Sequence, residues 1–149
     1  MSVIKHKIIE EIALIEISNP PVNAISAAVR VGLLETIENL SLNEKIRAIV
    51  ITAPERTFLA GADIKEFGKK VDAPILGKIC DKIESLNKIV VASLHGTPLG
   101  GGLEVAMSAH YRIAAPNTKV GLPEVLLGIL HVAGGTQRLP RLCGVDMAL

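Results

Sequence analysis

Apolar positions recur along the chain with two different periods. From Ile8 to Ile17 they are dense and β-branched, with Ile8, Ile12 and Leu14 on one face, which predicts a strand. Asn19-Pro20-Pro21 ends it, because proline donates no ladder hydrogen bond and restricts the residue before it. Ser26 is placed to cap a helix running to about Leu40, along which Val29, Leu33, Ile37 and Leu40 fall at helical spacing. Ile46 to Thr52 is a short apolar run bounded by Pro54 and reads as a buried strand. Asp63 can cap a helical turn through Phe67. Ile75, Ile79, Ile83 and Leu86 mark an amphipathic helix between Pro74 and Leu86. A strand over Ile89–Leu94 runs directly into His95-Gly96-Thr97-Pro98-Leu99-Gly100-Gly101-Gly102. Leu103 to about Ala109 predicts a buried helix, nearly all apolar apart from Glu104, and Tyr111 to Ala115 a further strand.

Strands thus alternate with helices and lie in short apolar runs, the pattern of an α/β protein whose sheet is covered on its faces. No internal repeat or linker divides the 149 residues, which read as one domain or part of one. With 49% hydrophobic and 21% charged residues the chain can bury a core, which excludes intrinsic disorder. Sixteen Lys+Arg balance fifteen Asp+Glu, so the chain has no net positive field for nucleic acid. Its aromatics are Phe58, Phe67 and Tyr111 alone, too few for a base-stacking platform. Cys80 and Cys143 have no CxxC or Cys/His spacing and read as buried thiols, not a bridge or metal site. The first residues lack the apolar stretch and cleavage site of a signal peptide, and no run approaches the ~18 apolar residues of a membrane span. The expectation is a soluble cytoplasmic protein with no membrane or nucleic-acid partner.

The chemistry concentrates around Gly100-Gly101-Gly102, between a strand and a helix. Glycine allows close backbone approach, and the free N–H groups of a helix N-terminus suit a phosphate or an oxyanion. A tight, closely packed turn would use the same glycines. The G-x-G-x-x-G fingerprint fails because Val105 occupies its last position, and no Gly-Lys-Ser/Thr exists for a P-loop. Glu104 lies inside an otherwise apolar helix, and Glu124 follows Pro123 in another apolar stretch. A solvated helix stripe would explain the first, and an acidic helix start the second. Taken together beside a glycine-built anion site, the two carboxylates point to general acid/base chemistry next to an oxyanion hole. His95 reads as a local hydrogen-bonding residue, and His110 and His131 have no acidic or cysteine partner at ligand spacing. Arg138 and Arg141 are assigned no chemistry.

Four strings occur in order: Ala60-Gly61-Ala62-Asp63-Ile64, Leu99-Gly100-Gly101-Gly102-Leu103-Glu104, Gly121-Leu122-Pro123-Glu124 and Gly134-Gly135-Thr136-Gln137-Arg138-Leu139-Pro140. In these the chain resembles the enoyl-CoA hydratase/isomerase (crotonase) family. Asn19-Pro20-Pro21-Val22-Asn23-Ala24 and His110-Tyr111-Arg112-Ile113-Ala114 are similar to the hydratase part of multifunctional fatty-acid β-oxidation enzymes. The resemblance implies an α/β, crotonase-like spiral of ββα units, an acyl-CoA thioester substrate and no bound cofactor, coenzyme A being part of the substrate. It assigns the oxyanion hole to the backbone N–H groups of Ala62 and Gly101, and the two carboxylates to Glu104 and Glu124. It implies hydration of 2-trans-enoyl-CoA by both acids, or Δ3,Δ2 isomerisation by Glu124 alone. CoA-contacting positions fall at Val22, Ala24, Ala62, Asp63, Ile64 and Lys65.

Two departures stand out. Just before Gly134 the family usually has Pro-Gly-Ala, where this chain has His131-Val132-Ala133. A β-branched Val132 does not readily adopt positive φ, which puts its water-positioning N–H in question. Pro98 stands where a small residue is usual. A non-catalytic acyl-CoA-binding module is therefore the competing reading. The family's hydratase domain also runs further, adding C-terminal helices that close the acyl pocket and often build an oligomer. The segment Gly144 to Leu149 reads as a helix start. Without those helices an exposed apolar patch is expected, and in multifunctional relatives a 3-hydroxyacyl-CoA dehydrogenase domain follows.

Overall fold

A computed structural model describes residues 2–148; Met1 and Leu149, at the outer ends of the first and last segments read above, lie outside them. Five strands form one sheet in the order β1-β2-β3-β4-β5: β1 (Ile4–Ile9), β2 (Ile12–Ile17), β3 (Ala48–Thr52), β4 (Ile89–Leu94) and β5 (Tyr111–Ala114). The first pair is antiparallel and the remaining pairs are parallel. The expected single strand over Ile8–Ile17 is in fact the end of β1, a turn and β2. Ile9 pairs with Ile12 across Glu10-Glu11, and Glu10 takes φ 55°. Tight hairpin turns usually advertise themselves with Gly, Asn or Asp, and two glutamates give no such signal.

Burial alternates along the three central strands. Ala13, Ile15 and Ile17 of β2, Ile49 and Ile51 of β3, and Val90, Ala92 and Leu94 of β4 are all buried on one face. The other face carries Leu14, Val50, Val91 and Tyr111 in one register row, the first three half-buried and Tyr111 exposed. The continuous apolar runs therefore do not mean a sheet covered on both faces. They give one fully buried face and one apolar face that stays partly open to solvent.

Helix α1 (Ala27–Leu42) buries Val29, Leu33, Ile37 and Leu40, the predicted stripe, and its N-cap is Ser26, whose hydroxyl accepts from the Val29 N–H. Helix α2 (Leu76–Glu84) lies against α1 and α3 and buries Ile79, Cys80 and Ile83. Helix α3 (Gly101–Ser108) is buried at every position, and it starts two residues earlier than its apolar run, at the glycines themselves. α4 (Gly135–Cys143) packs on α3, and the short α5 (Val145–Ala148) follows it. Two 3-10 turns, Ile64–Glu66 and Pro123–Leu127, carry the remaining motif residues. Cys80 is buried as expected, whereas Cys143 is exposed near the end of α4, because that helix turns only Gly135 and Arg138 fully inward. Among the described residues no helix is long and apolar enough to cross a membrane.

Candidate active site

Two isolated bridges bring the motif strings together. Ile25 pairs in parallel with Ala62, and Leu99 with Gly121. In the first, Ile25 donates to the Gly61 carbonyl and accepts from the Asp63 N–H. Parallel pairing of that kind uses residues 61 and 63 and turns the Ala62 N–H to the opposite side. Among the described residues neither the Ala62 N–H nor the Gly101 N–H donates to a protein acceptor. The two lie side by side: a Cβ placed on Gly101 would stand 3.8 Å from the Ala62 nitrogen. Gly100, at φ 50°, ψ −126°, makes the sharp entry into α3 that exposes this first turn.

The 3-10 turn beside Ala62 is anchored from both sides. Asp63 caps it, accepting from the Lys65 N–H at 3.0 Å. Glu66 accepts from the Ala27 N–H at 2.7 Å and pairs with Arg30 at 2.9 Å. On the other side of the bridge the Val22–Ile25 loop is held by Asn23, which is wholly buried. Its Nδ2 donates to the Ile17 and Phe58 carbonyls and its Oδ1 accepts from the Asn19 N–H.

Glu104 projects from the first turn of α3 and is 1% exposed, so the solvated-stripe reading does not hold. Its Oε1 accepts from the N–H groups of Ala133 and Gly135, each at 2.8 Å. These two donors compensate the burial of the carboxylate. The segment that supplies them is held in turn by Arg138. Nη1 of Arg138 donates to the Ala133 carbonyl at 2.7 Å, while Nη2 reaches Asp81 at 2.9 Å and Glu84 at 2.7 Å. Burial opposes the guanidinium charge, but the hydrogen bonds to Glu84 and Asp81 outweigh it, and Arg138 is held above the ordinary arginine range. The left-handed residue of this segment is Gly134, at φ 97°, and Val132 is not among the residues with positive φ. The β-branched residue is thus spared the conformation it would resist.

Glu124 comes from the second 3-10 turn and points back at the glycine entry. Its Oε1 lies 2.8 Å from where a Cβ on Gly100 would stand. Its Oε2 is 3.1 Å from His131 Nδ1. His131 was the residue that spacing could not pair, since its partner is seven positions away across a left-handed turn at Gly128. The bond expected of His95 is to a distant part of the chain, the Glu55 carbonyl forty positions away at 2.7 Å from Nε2, and His110 Nδ1 accepts from the Val90 N–H at 3.0 Å.

One cavity of about 590 Å³ takes in Ala62, Gly101, Glu104, Glu124 and Val132. Asp63 and Ile64 also line it, whereas Val22, Ala24 and Lys65 lie outside its walls. Val22 is exposed, and Ala24 accepts from Asn19 Nδ2 at 2.7 Å. Much of the wall is apolar, with Ile75, Leu76, Leu127, Ile129 and Leu130 around the charged groups. Convergent polar groups in an apolar cleft are the usual form of a small-molecule site.

The profile of the family described as Enoyl-CoA hydratase/isomerase matches residues 7–149. The chain is 50% identical over 138 residues to the peroxisomal bifunctional enzyme of Danio rerio, covering 93% of this chain and 19% of that protein. It is 41% identical over 156 residues to a probable enoyl-CoA hydratase of Bacillus subtilis, covering all of this chain and 60% of that one. The crystal structure of enoyl-CoA hydratase from Bacillus anthracis superposes with a TM-score of 0.90 at 30% identity, over 98% of this chain and 60% of that chain. The chain therefore spans about a fifth of the bifunctional relatives and three-fifths of the hydratases. It belongs to the enoyl-CoA hydratase/isomerase family, with the α/β crotonase fold.

Proposed function

We propose that this chain carries the hydration chemistry of 2-trans-enoyl-CoA, yielding 3-hydroxyacyl-CoA in fatty-acid β-oxidation. The observation that supports it is the state of the two carboxylates. Each has one oxygen held by the protein, Glu104 by two backbone N–H groups and Glu124 by His131. Each has its other oxygen without a protein hydrogen bond among the described residues, and both line the cavity that holds the free N–H groups of Ala62 and Gly101.

The thioester oxygen sits between those two N–H groups, which stabilise the negative charge it gains as C2 becomes enolate-like. Glu104 and Glu124 hold one water. Glu104 takes a proton from it as its oxygen bonds to C3, and Glu124, in its acid form at this step, delivers its own proton to C2. The proton left on Glu104 is returned to Glu124 on product release, so that H and OH of one water add across the double bond. Coenzyme A enters as part of the substrate, along the Val22–Ile25 loop and Ala62–Lys65, and no resident cofactor is required. Isomerisation of a 3-enoyl thioester needs Glu124 alone, moving one proton from C2 to C4. The position of Glu124 Oε1 beside the glycine turn favours that second activity at the same site. The printed names of relatives, a peroxisomal bifunctional enzyme and a peroxisomal fatty acid β-oxidation multifunctional protein, support β-oxidation as the setting. A 3-hydroxyacyl-CoA dehydrogenase acting on the product is the continuation this reading implies.

The test is the absorbance of the conjugated enoyl thioester. Loss of absorbance with the purified chain, reduced at least ~100-fold by Glu104→Gln and by Glu124→Gln, is the expected result. Saturable acyl-CoA binding with no loss of absorbance would instead make the chain a binding module.

A further inference from the structure

His131 lies in the loop between the second 3-10 turn and α4. Here its Nδ1 lies 3.1 Å from Glu124 Oε2, with the two side chains 15% and 13% exposed. The chain is folded to make this contact. Glu124 is the second residue of the 3-10 turn, its carbonyl accepts from the Ile129 N–H at 3.2 Å, and Gly128 reverses the direction at φ 71°. His131 is held from the far side by Gly135, where an added Cβ would come within 2.9 Å of the His131 Cβ. Two other charged groups of this region already have partners. Glu104 of α3 is occupied by the Ala133 and Gly135 N–H groups, and Arg138 of α4 by the Ala133 carbonyl, Asp81 and Glu84. Glu124 is the carboxylate to which His131 is bonded.

We propose that His131 is a positioning residue for Glu124. The imidazole donates its Nδ1–H to Oε2, fixes the rotation of the carboxyl group and leaves Oε1 turned toward Gly100 as the oxygen that exchanges a proton with the substrate. This rests on the hydratase/isomerase reading and adds to it a residue that acts through Glu124 without touching the thioester. The physical gain is orientational: a carboxylate anchored at one oxygen meets the substrate carbon in one geometry. The partner also selects the tautomer, because a carboxylate acceptor at Nδ1 requires the proton there.

The experiment reads the tautomer and the kinetics of the full chain. Long-range 1H–15N spectra at about pH 8.5, above the ordinary imidazole range, should show His131 protonated at Nδ1. Glu124→Ala should move it toward Nε2–H. His131→Leu should lower kcat about tenfold with KM within about twofold. His131→Asn, whose amide nitrogen falls near the place of Nδ1, should restore most of the loss. A role confined to packing would not be rescued by asparagine and would leave the tautomer independent of Glu124. An Nε2–H tautomer in the unaltered chain, or full kcat in His131→Leu, overturns the proposal. A Glu124-dependent tautomer in a chain that turns over neither thioester upholds the pairing and overturns the proposed reaction instead.

Discussion

Arg138 and Glu104 are fastened to opposite ends of one residue: the guanidinium donates to the Ala133 carbonyl at 2.7 Å, and the carboxylate accepts from the Ala133 N–H at 2.8 Å. Arg138 thereby connects the acidic end of α2 to a carboxylate of the site. Arg138→Met leaves Asp81 and Glu84 solvated, since they are 76% and 58% exposed, but strands a buried carbonyl. A loss of about 1–3 kcal/mol in urea unfolding is expected. Turnover that depends on Glu104 should fall with it. Arg138→Lys keeps the charge without the fork that spans the Ala133 carbonyl and the two acids, and should recover only part of the stability and of the turnover.

The two thiols should separate cleanly. Cys80 is fully buried, and burial pushes its thiol up to about 12 from an ordinary 9.0, while Cys143 is exposed. A thiol reagent should modify one cysteine in the folded chain and the second only on unfolding. Between pH 9.0 and about 12 the folded thiol keeps a proton that the unfolded one has lost, so stability falls as pH rises through that window. Relative to Cys80→Ala, the chain should lose about 1 kcal/mol between pH 8 and pH 10, read by denaturant unfolding.

Gly101 and Gly102 are adjacent but small for different reasons. A Cβ on Gly102 would run into the Leu59 carbonyl oxygen, which is backbone and cannot step aside. On Gly101 it would meet the flexible end of Leu76, at 2.7 Å from Cδ2. Gly102→Ala should therefore cost about 1–3 kcal/mol or more, and Gly101→Ala markedly less. Equal unfolding midpoints for the two variants would contradict this.

Val125 and Leu126 are 61% and 84% exposed and take no part in lining the cavity. With the neighbouring exposed Leu127 and Leu130 they form an apolar surface of the kind that drives association. Val125→Glu with Leu126→Lys should give a smaller sedimenting species than the unaltered chain and bind less hydrophobic dye. Identical sedimentation would remove this surface from the account of any oligomer.

The parts of this molecule that sequence reveals are those governed by local rules. The Ser26 and Asp63 caps, the α1 stripe and the apolar runs of β3 and β4 all follow from neighbours a few residues apart. Glu104 was legible because a lone acid in an apolar helix needs a reason. The donors that satisfy it were not, because Ala133 and Gly135 act through backbone N–H groups some thirty positions away. The partners of Arg138 are not legible because its acids lie on α2, nor is that of His131, because its pairing depends on a left-handed turn. Glu10 hid a hairpin by adopting a conformation its residue type seldom takes.

The bridge between Ile25 and Ala62 does more than join two loops, since it decides which way the Ala62 amide faces. Neither Ala62 nor Gly101 offers the cavity a functional group of its own type, so a catalogue of reactive side chains overlooks both N–H groups. A saturation library at these two positions would register only a limit on bulk, whereas swapping the Ala62 peptide bond for an ester would delete the donor with its side chain intact. The identity of the residues there is nearly silent, and the course of the main chain carries the message.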